Sequence, residues 1–283
     1  YLANRSTYTM TALKPIVAEK ASGLRNIMAH GIVYIVTGLA ILPQLVVVYT
    51  SFLRSNGGQV FTGGYALQSY EATLFAKDNT VIWNTYFLGI VAIAIVLVMG
   101  VIIAYLSVRK KNLLNSILDT VTMFPFIIPG SVLGISFLFA FNSPPIVLSG
   151  TALIMIISFA IRRMPYTVRS SVAALGQISK NVEEAAISLG ASDLTTFRRI
   201  TLPMMMPGVL AGAIMSWVTI ISELSSSIIL YTTANQTLTV SIYTEVIRGN
   251  YGNASAYATI LALTSILSLL IFFKLTGRRD ISI

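Results

Sequence analysis

The stretch Ile178-Ser179-Lys180-Asn181-Val182-Glu183-Glu184-Ala185-Ala186-Ile187-Ser188-Leu189-Gly190 is a polar interlude in an apolar chain. It continues as Ala191-Ser192-Asp193-Leu194-Thr195-Thr196-Phe197-Arg198-Arg199-Ile200-Thr201-Leu202-Pro203. Ile178, Val182, Ala185, Ala186 and Leu189 recur at i, i+4, i+7, i+8 and i+11, which predicts one face of a helix. Ser179 or Asn181 supplies a cap, and Glu183 and Glu184 suit the positive end of the helix dipole. Gly190 stops the helix. Ser192 or Asp193 starts a second short helix bearing Leu194, Phe197 and Ile200, and Pro203 closes the segment. The polar part of the first helix is acidic rather than basic. That favours docking into a groove on another protein over resting on lipid headgroups.

Around this elbow the chain is built for lipid. Of its 283 residues 55% are hydrophobic and only 10% charged, and the mean hydropathy is +0.79. A soluble domain carries about a quarter charged residues, so there is too little polar surface here to cover a globule in water. The absence of cysteine excludes a disulfide scaffold, thiolate catalysis and Cys-ligated metal, and a single histidine, His30, leaves no paired-His haem. An all-α membrane protein with six transmembrane helices is expected, each of roughly 20 apolar residues. The spans read as Gly31–Phe52, Val81–Ser107, Ser116–Phe141, Ile146–Ile161, Met205–Tyr231 and Ala254–Phe273. Pro43, Pro125 and Pro129 lie in or at the edges of spans and predict kinks, though neighbouring helices can satisfy the freed carbonyls.

Residues 1–30, 108–115, 162–204 and 274–283 hold 16 of the 19 Lys and Arg residues, leaving only Arg54, Lys77 and Arg248 on the other side. This split predicts both termini in the cytoplasm. It also explains the net charge of +9 without nucleic acid, since no aromatic-interleaved basic patch accompanies it. Residues 1–26 read as a polar lead with spread basic residues rather than a signal peptide.

Glu223 is the one acidic residue expected well inside a span, with Ser222, Ser225, Ser226 and Ser227 around it. An intramembrane carboxylate is costly and marks either a path or a structural pair. Both readings stand for Glu223, with Ser222 and Ser226 as its companions on a substrate path. Pro125-Phe-Ile-Ile-Pro129-Gly130 reads as a hinge or as close packing, and Gly208-x-x-x-Gly212 as close packing. Asp119 is expected at the cytoplasmic border beside Arg109, Lys110 and Lys111, while Arg162, Arg163 and Arg169 are expected to follow the fourth span as headgroup anchors. Tyr243, Glu245 and Tyr251 are outward-facing candidates for a protein contact, and no metal site is expected from them.

Glu184-Ala185-Ala186, three residues, Gly190, nine residues and Ile200-Thr201-Leu202-Pro203 resemble the signature loop of type I ABC importer permeases, with every fixed position filled at its spacing. The resemblance covers roughly residues 81–275. Glu223-Leu-Ser-Ser-Ser-Ile-Ile-Leu230 and Thr237-Leu-Thr-Val-Ser-Ile-Tyr243 are similar to a branch assigned to ferric iron, with relatives for 2-aminoethylphosphonate, polyamines, thiamine and phosphorylated sugars. The resemblance implies a bacterial inner-membrane permease domain over 31–275 with its core at 81–275. A cytoplasmic segment or linker at 1–30 precedes it and a cytoplasmic tail at 276–283 follows. It further implies a coupling loop at 178–203, with Glu183, Glu184, Ala185, Ala186, Leu189, Gly190, Ile200, Leu202 and Pro203 facing a cytoplasmic ABC ATPase dimer.

A second membrane domain and a periplasmic or lipid-anchored solute-binding protein complete the expected assembly, which sits among membrane lipid. The chain itself is then a transport subunit, not an enzyme, without a cofactor of its own. ATP and Mg belong to the ATPase, and no Gly-x-x-x-x-Gly-Lys-Ser/Thr loop is present here. A start at Tyr1 suits the C-terminal half of a fused permease or a separate subunit whose beginning is missing. The rival class is an ion-gradient-driven secondary transporter, for which an internal repeat and more intramembrane charges are expected. A membrane enzyme would need a catalytic cluster that the sequence lacks.

Overall fold

A computed structural model describes residues 23–55, 61–75 and 80–276. The polar lead before Gly23, Lys77 and the tail after Thr276 lie outside the described residues. The chain divides into two compact units, residues 1–47 and 48–283. Among the described residues the fold is helical, with a single antiparallel bridge between Leu53 and Tyr65 as its β-pairing.

Helix α1 is Leu24–Ser51, interrupted by no break at Pro43, and its apolar side chains up to Val46 are exposed. Helix α2, Gln68–Leu74, is short, and Tyr70 on it meets Ser51 Oγ through its hydroxyl at 2.7 Å. Helix α3 is Val81–Arg109; α4, Leu113–Ile127, and α5, Gly130–Ala140, follow it. Helix α6 is Ala152–Gly176; α7, Lys180–Ser188, and α8, Asp193–Thr196, form the elbow. A π turn at Phe197–Thr201 joins α8 to α9, Leu202–Ile221. Then come α10, Ser227–Leu230, a 3-10 turn at Thr233–Asn235, α11, Leu238–Ile247, and α12, Tyr251–Thr276.

Among the described residues four helical stretches are long and apolar enough to cross a membrane, and a fifth if α4 and α5 are one broken span. Three of the expected spans differ in ways with clear causes. The third bends by 111° between Ile127 and Gly130. Pro129 has no N–H to continue the ladder, and its ring pushes Ile128 into the extended region, φ −74° and ψ 129°. The fourth starts later than Ile146 and does not stop at Ile161. Helix α6 runs on through Arg162, Arg163 and Arg169, for about 38 Å at 1.5 Å per residue. The fifth is continuous from Asp193 through Pro203 and ends at Ile221, ten residues short of Tyr231. Pro203 does not close the segment, because the π turn absorbs it: Leu202 N–H bonds back to the Phe197 carbonyl, five residues away.

The core is the packing of α6 between α3 and α9. One buried cluster gathers Leu88, Ala92, Ile154, Met155, Phe159 and Ile220. A second gathers Ala104, Leu175, Ile178, Met205 and Val209. Between them α6 and α9 touch backbone to backbone at the Gly208/Gly212 pair. A Cβ on Gly208 would strike that of Ala174, and one on Gly212 would lie 2.8 Å from both Ser170 Cβ and Thr167 Cα. Buried hydroxyls complete the seam: Thr167 Oγ1 and Ser216 Oγ are 2.9 Å apart, and Ser216 Oγ donates to the Arg163 carbonyl at 2.8 Å. Small residues and such hydroxyls replace the hydrophobic effect where lipid is the solvent, at about 0.6 kcal/mol per hydrogen bond.

Candidate functional site

The elbow forms as its residues demand. Ser179 caps α7, accepting from Asn181 N–H at 3.3 Å, and Ser192 caps α8, accepting from Thr195 N–H at 3.3 Å. Gly190 sits at φ +89°, a left-handed conformation that suits glycine, while its N–H bonds to Ile187 O at 2.9 Å and Ala191 N–H to Ala186 O at 3.1 Å. These two bonds are the paired closure that satisfies the last carbonyls of a helix.

Glu183 faces inward. Arg109 Nε, at the end of α3, donates to its Oε2 at 3.0 Å, and Thr201 Oγ1 donates to its Oε1 at 2.9 Å. Arg109 Nη2 also donates to the Ile178 carbonyl at 2.9 Å. Tyr105 meets Phe197 edge-on, with ring centroids 4.9 Å apart. The elbow is therefore fastened to α3 and to the root of α9. The sequence placed Arg109 beside Asp119 and assigned Thr201 no role of its own; their pairing with Glu183, across 74 and 18 positions of chain, left no local signal. The predicted face divides: Ile178 and Ala186 are buried, whereas Val182, Ala185 and Leu189 are exposed, Leu189 by 90%; Glu184, outside that face, is exposed as well. Leu202 packs partly buried on the second core cluster, Ile200 is half-buried, and Pro203 is exposed.

Glu223 lies in the break between α9 and α10, with its side chain 1% exposed. It is paired: Arg162 Nη1 donates to Oε1 at 2.9 Å, and Arg163 Nη2 donates to Oε2. These arginines face the protein interior rather than headgroups, because α6 continues through them. Ser226 N–H donates to Glu223 Oε1 at 3.1 Å, while Ser227 Oγ and Thr239 Oγ1 donate to its carbonyl at 2.8 and 2.9 Å. Ser226 thus borders the carboxylate. Ser222 is exposed and spends its hydroxyl on Val218 O at 2.6 Å.

Asp119 pairs with Arg169 Nη1 at 3.1 Å rather than with the basic residues at the end of α3, since α4 lies along α6. Glu245 accepts from Arg248 Nη1 and Asn250 Nδ2, both at 3.0 Å, which fastens the end of α11 to the start of α12. Tyr243 and Tyr251 are exposed. No group of three or more His, Cys, Asp or Glu side chains able to hold a metal is found among the described residues.

The family described as binding-protein-dependent transport system inner membrane component matches residues 96–279. The chain belongs to this family. The permease is 34% identical over 194 residues to the ferric transport system permease protein FbpB of Actinobacillus pleuropneumoniae, an alignment covering 69% of this chain and 28% of that protein. It therefore spans less than a third of that relative's length. It is 26% identical over 254 residues to PhnV of Salmonella choleraesuis (strain SC-B67), a permease protein named for 2-aminoethylphosphonate transport, covering 89% of this chain and 94% of that one. Its fold is that of a chain in the crystal structure of a bacterial ABC transporter involved in the import of the acidic polysaccharide alginate. The TM-score is 0.70 and the identity 14%, with 90% of this chain and 97% of the other covered. The permease is thus an inner-membrane component of a binding-protein-dependent transport system, helical throughout nearly all its described residues.

Proposed function

We propose that the chain forms part of the solute path of an ATP-driven type I importer in a bacterial inner membrane. Its elbow takes the thrust of a cytoplasmic ATPase dimer, which carries the ATP and Mg. A second membrane domain, identical, homologous or fused, completes the path, and a solute-binding protein delivers the cargo from outside. Both termini lie in the cytoplasm. Glu184, Ala185, Leu189 and Gly190 form the docking surface, and Ile200, Leu202 and Pro203 carry motion into α9.

The observation that carries this reading is the division of labour within α7. One side is bolted inward through Glu183 to Arg109 and Thr201, while the other leaves Leu189 bare and 90% exposed. A helix held rigidly behind and apolar in front suits a groove on a partner that moves it. Purification from native membranes in mild detergent, followed by mass spectrometry, tests it. An ATPase should accompany the wild-type chain and be lost with Gly190→Asp at unchanged membrane insertion. A folded chain that emerges alone would move ion-gradient-driven uptake to the front.

Ferric iron is the proposed solute, on the strength of the 34% identity to a permease protein named for ferric transport. Proteoliposomes holding the assembled transporter and its binding protein should accumulate iron when ATP is supplied. Uptake of 2-aminoethylphosphonate with none of iron would replace the solute and leave the machinery standing.

A further inference from the structure

The cluster around Glu223 is not charge-balanced. One carboxylate, 1% exposed, faces two guanidiniums, 12% and 17% exposed. The carboxylate is well supplied with donors, yet the Nε atoms of both Arg162 and Arg163 are buried without a hydrogen-bond partner. A surplus cation in a segment of this kind is expensive and by default functional.

The surplus stands where two helices are interrupted. Helix α5 begins at Gly130, so the amides of Gly130, Ser131 and Val132 lack acceptors within the helix. Arg162 lies directly against Gly130, and a side chain there would overlap its guanidinium and Ser225 Cβ. A cation at the positive end of a helix dipole has the wrong sign for stability. The second interruption, Ser222–Ser226, brings exposed Ser225 against Gly130 beside the Arg162 guanidinium, and exposed Ser131 follows in the first turn of α5. Arg162 is the eleventh residue of α6, about 15 Å along its axis, well inside the helix. Two guanidiniums, a helix N-terminus and one carboxylate make a site that is complete once a further negative charge enters it.

We propose that Arg162, Arg163 and the first turn of α5 bind an anionic oxygen group on the passing solute (a phosphate, phosphonate or carboxylate), with Glu223 as the resident counter-charge that this group competes with. The inference rests on the importer reading and narrows its solute. A bare cation meets a repulsive surplus, so iron enters only within a complex whose outer oxygens are anionic. Guanidiniums suit such groups because their planar forks donate in pairs. Between solutes Glu223 keeps the two cations from standing uncompensated.

The test is equilibrium binding to the transporter purified from native membranes into lipid nanodiscs, with radiolabelled orthophosphate and radiolabelled ferric citrate as probes. Arg163→Gln is the deciding variant, because it leaves Arg162 and Glu223 as a balanced pair. It should fold with an unchanged or raised melting temperature yet bind at least about tenfold more weakly, the effect of losing a charged hydrogen-bond donor. Arg163→Lys should restore part of the binding. Glu223→Gln, where it folds, should bind tighter, because a competing like charge is gone. Binding of orthophosphate assigns the site to free oxyanions, and binding of ferric citrate alone assigns it to an anionic iron complex. No binding of either probe to the wild type overturns the proposal. So does wild-type binding by Arg163→Gln, which would make the cluster a lock between helices. The ATPase content of the same preparation is read separately. Anion binding without an ATPase keeps the site and sinks the importer reading, and the reverse result does the opposite.

Discussion

The helical elbow and the cluster around Glu223 each hold a glutamate against arginine, and they differ in what remains after the pair has formed. At the elbow Glu183 meets one arginine, and that arginine spends a further donor on the Ile178 carbonyl. The charge is balanced, and the result is a fastener. At the cluster Glu223 meets two arginines, and both keep a buried Nε with no acceptor. A balanced pair fixes geometry, whereas an unbalanced one keeps an appetite for a further charge. The two lie at opposite ends of α9, whose Gly208/Gly212 face packs closely on α6 between them.

The comparison is broken most violently at Glu223. Glu223→Ala leaves two buried guanidiniums without their counter-ion, and removing one partner of a buried pair costs about 3–5 kcal/mol. Thermal unfolding in detergent should show a large fall or no folded protein at all. Melting like the wild type would mean that the arginines reach water, and the contrast between the sites would vanish.

Arg109→Ala should act more mildly, at about 1–3 kcal/mol, because Glu183 keeps Thr201 and lies nearer the helix ends. Its functional mark is specific. On the proposed reading, docking of an ATPase should survive, since α7 keeps its outer face, while the link from the elbow to α3 is lost. ATP hydrolysis should persist while uptake falls. Equal loss of both would show that Arg109 serves docking rather than transmission.

What the sequence could and could not say follows the same division. The elbow was legible because its determinants are local: Ser179, Ser192, Gly190 and the spacing of Ile178, Val182 and Ala186 act within a few residues of one another. The cluster was not, because Arg162 and Arg163 meet Glu223 from some 60 positions away. An apolar window also stops at the first pair of arginines, which made them look like loop residues. A signal for the longer helix was present. Ile161, Met164, Val168, Val172 and Leu175 keep helical spacing straight through the charges. The 111° bend was half legible, since Pro125 and Pro129 announced a kink while its angle is set by the packing of α5 on α10 around Gly134.

Gly190→Ala sharpens the local side of the comparison. Nothing lies within 4 Å of an added Cβ, so the cost is conformational alone, about 1–2 kcal/mol for a left-handed residue. The chain should remain folded with a slightly lower melting temperature, and the ATPase should be retained less well because the end of α7 has shifted.

Leu189→Ser is the smallest change in stability and the sharpest in meaning. A side chain 90% exposed contributes almost nothing to its own fold, so the melting temperature should move by less than the equivalent of about 0.5 kcal/mol. If Leu189 instead fills a pocket on the ATPase, losing its apolar surface weakens docking by about 1.5–3 kcal/mol, more than tenfold in affinity. Co-purification of the ATPase measures that directly. An unaltered fold with a lost partner can arise only where the residue's work lies outside its own chain, whereas a retained ATPase would leave Glu184 and Ala185 to carry the contact. Glu223→Ala reports the mirror case, in which the fold fails before any partner is consulted.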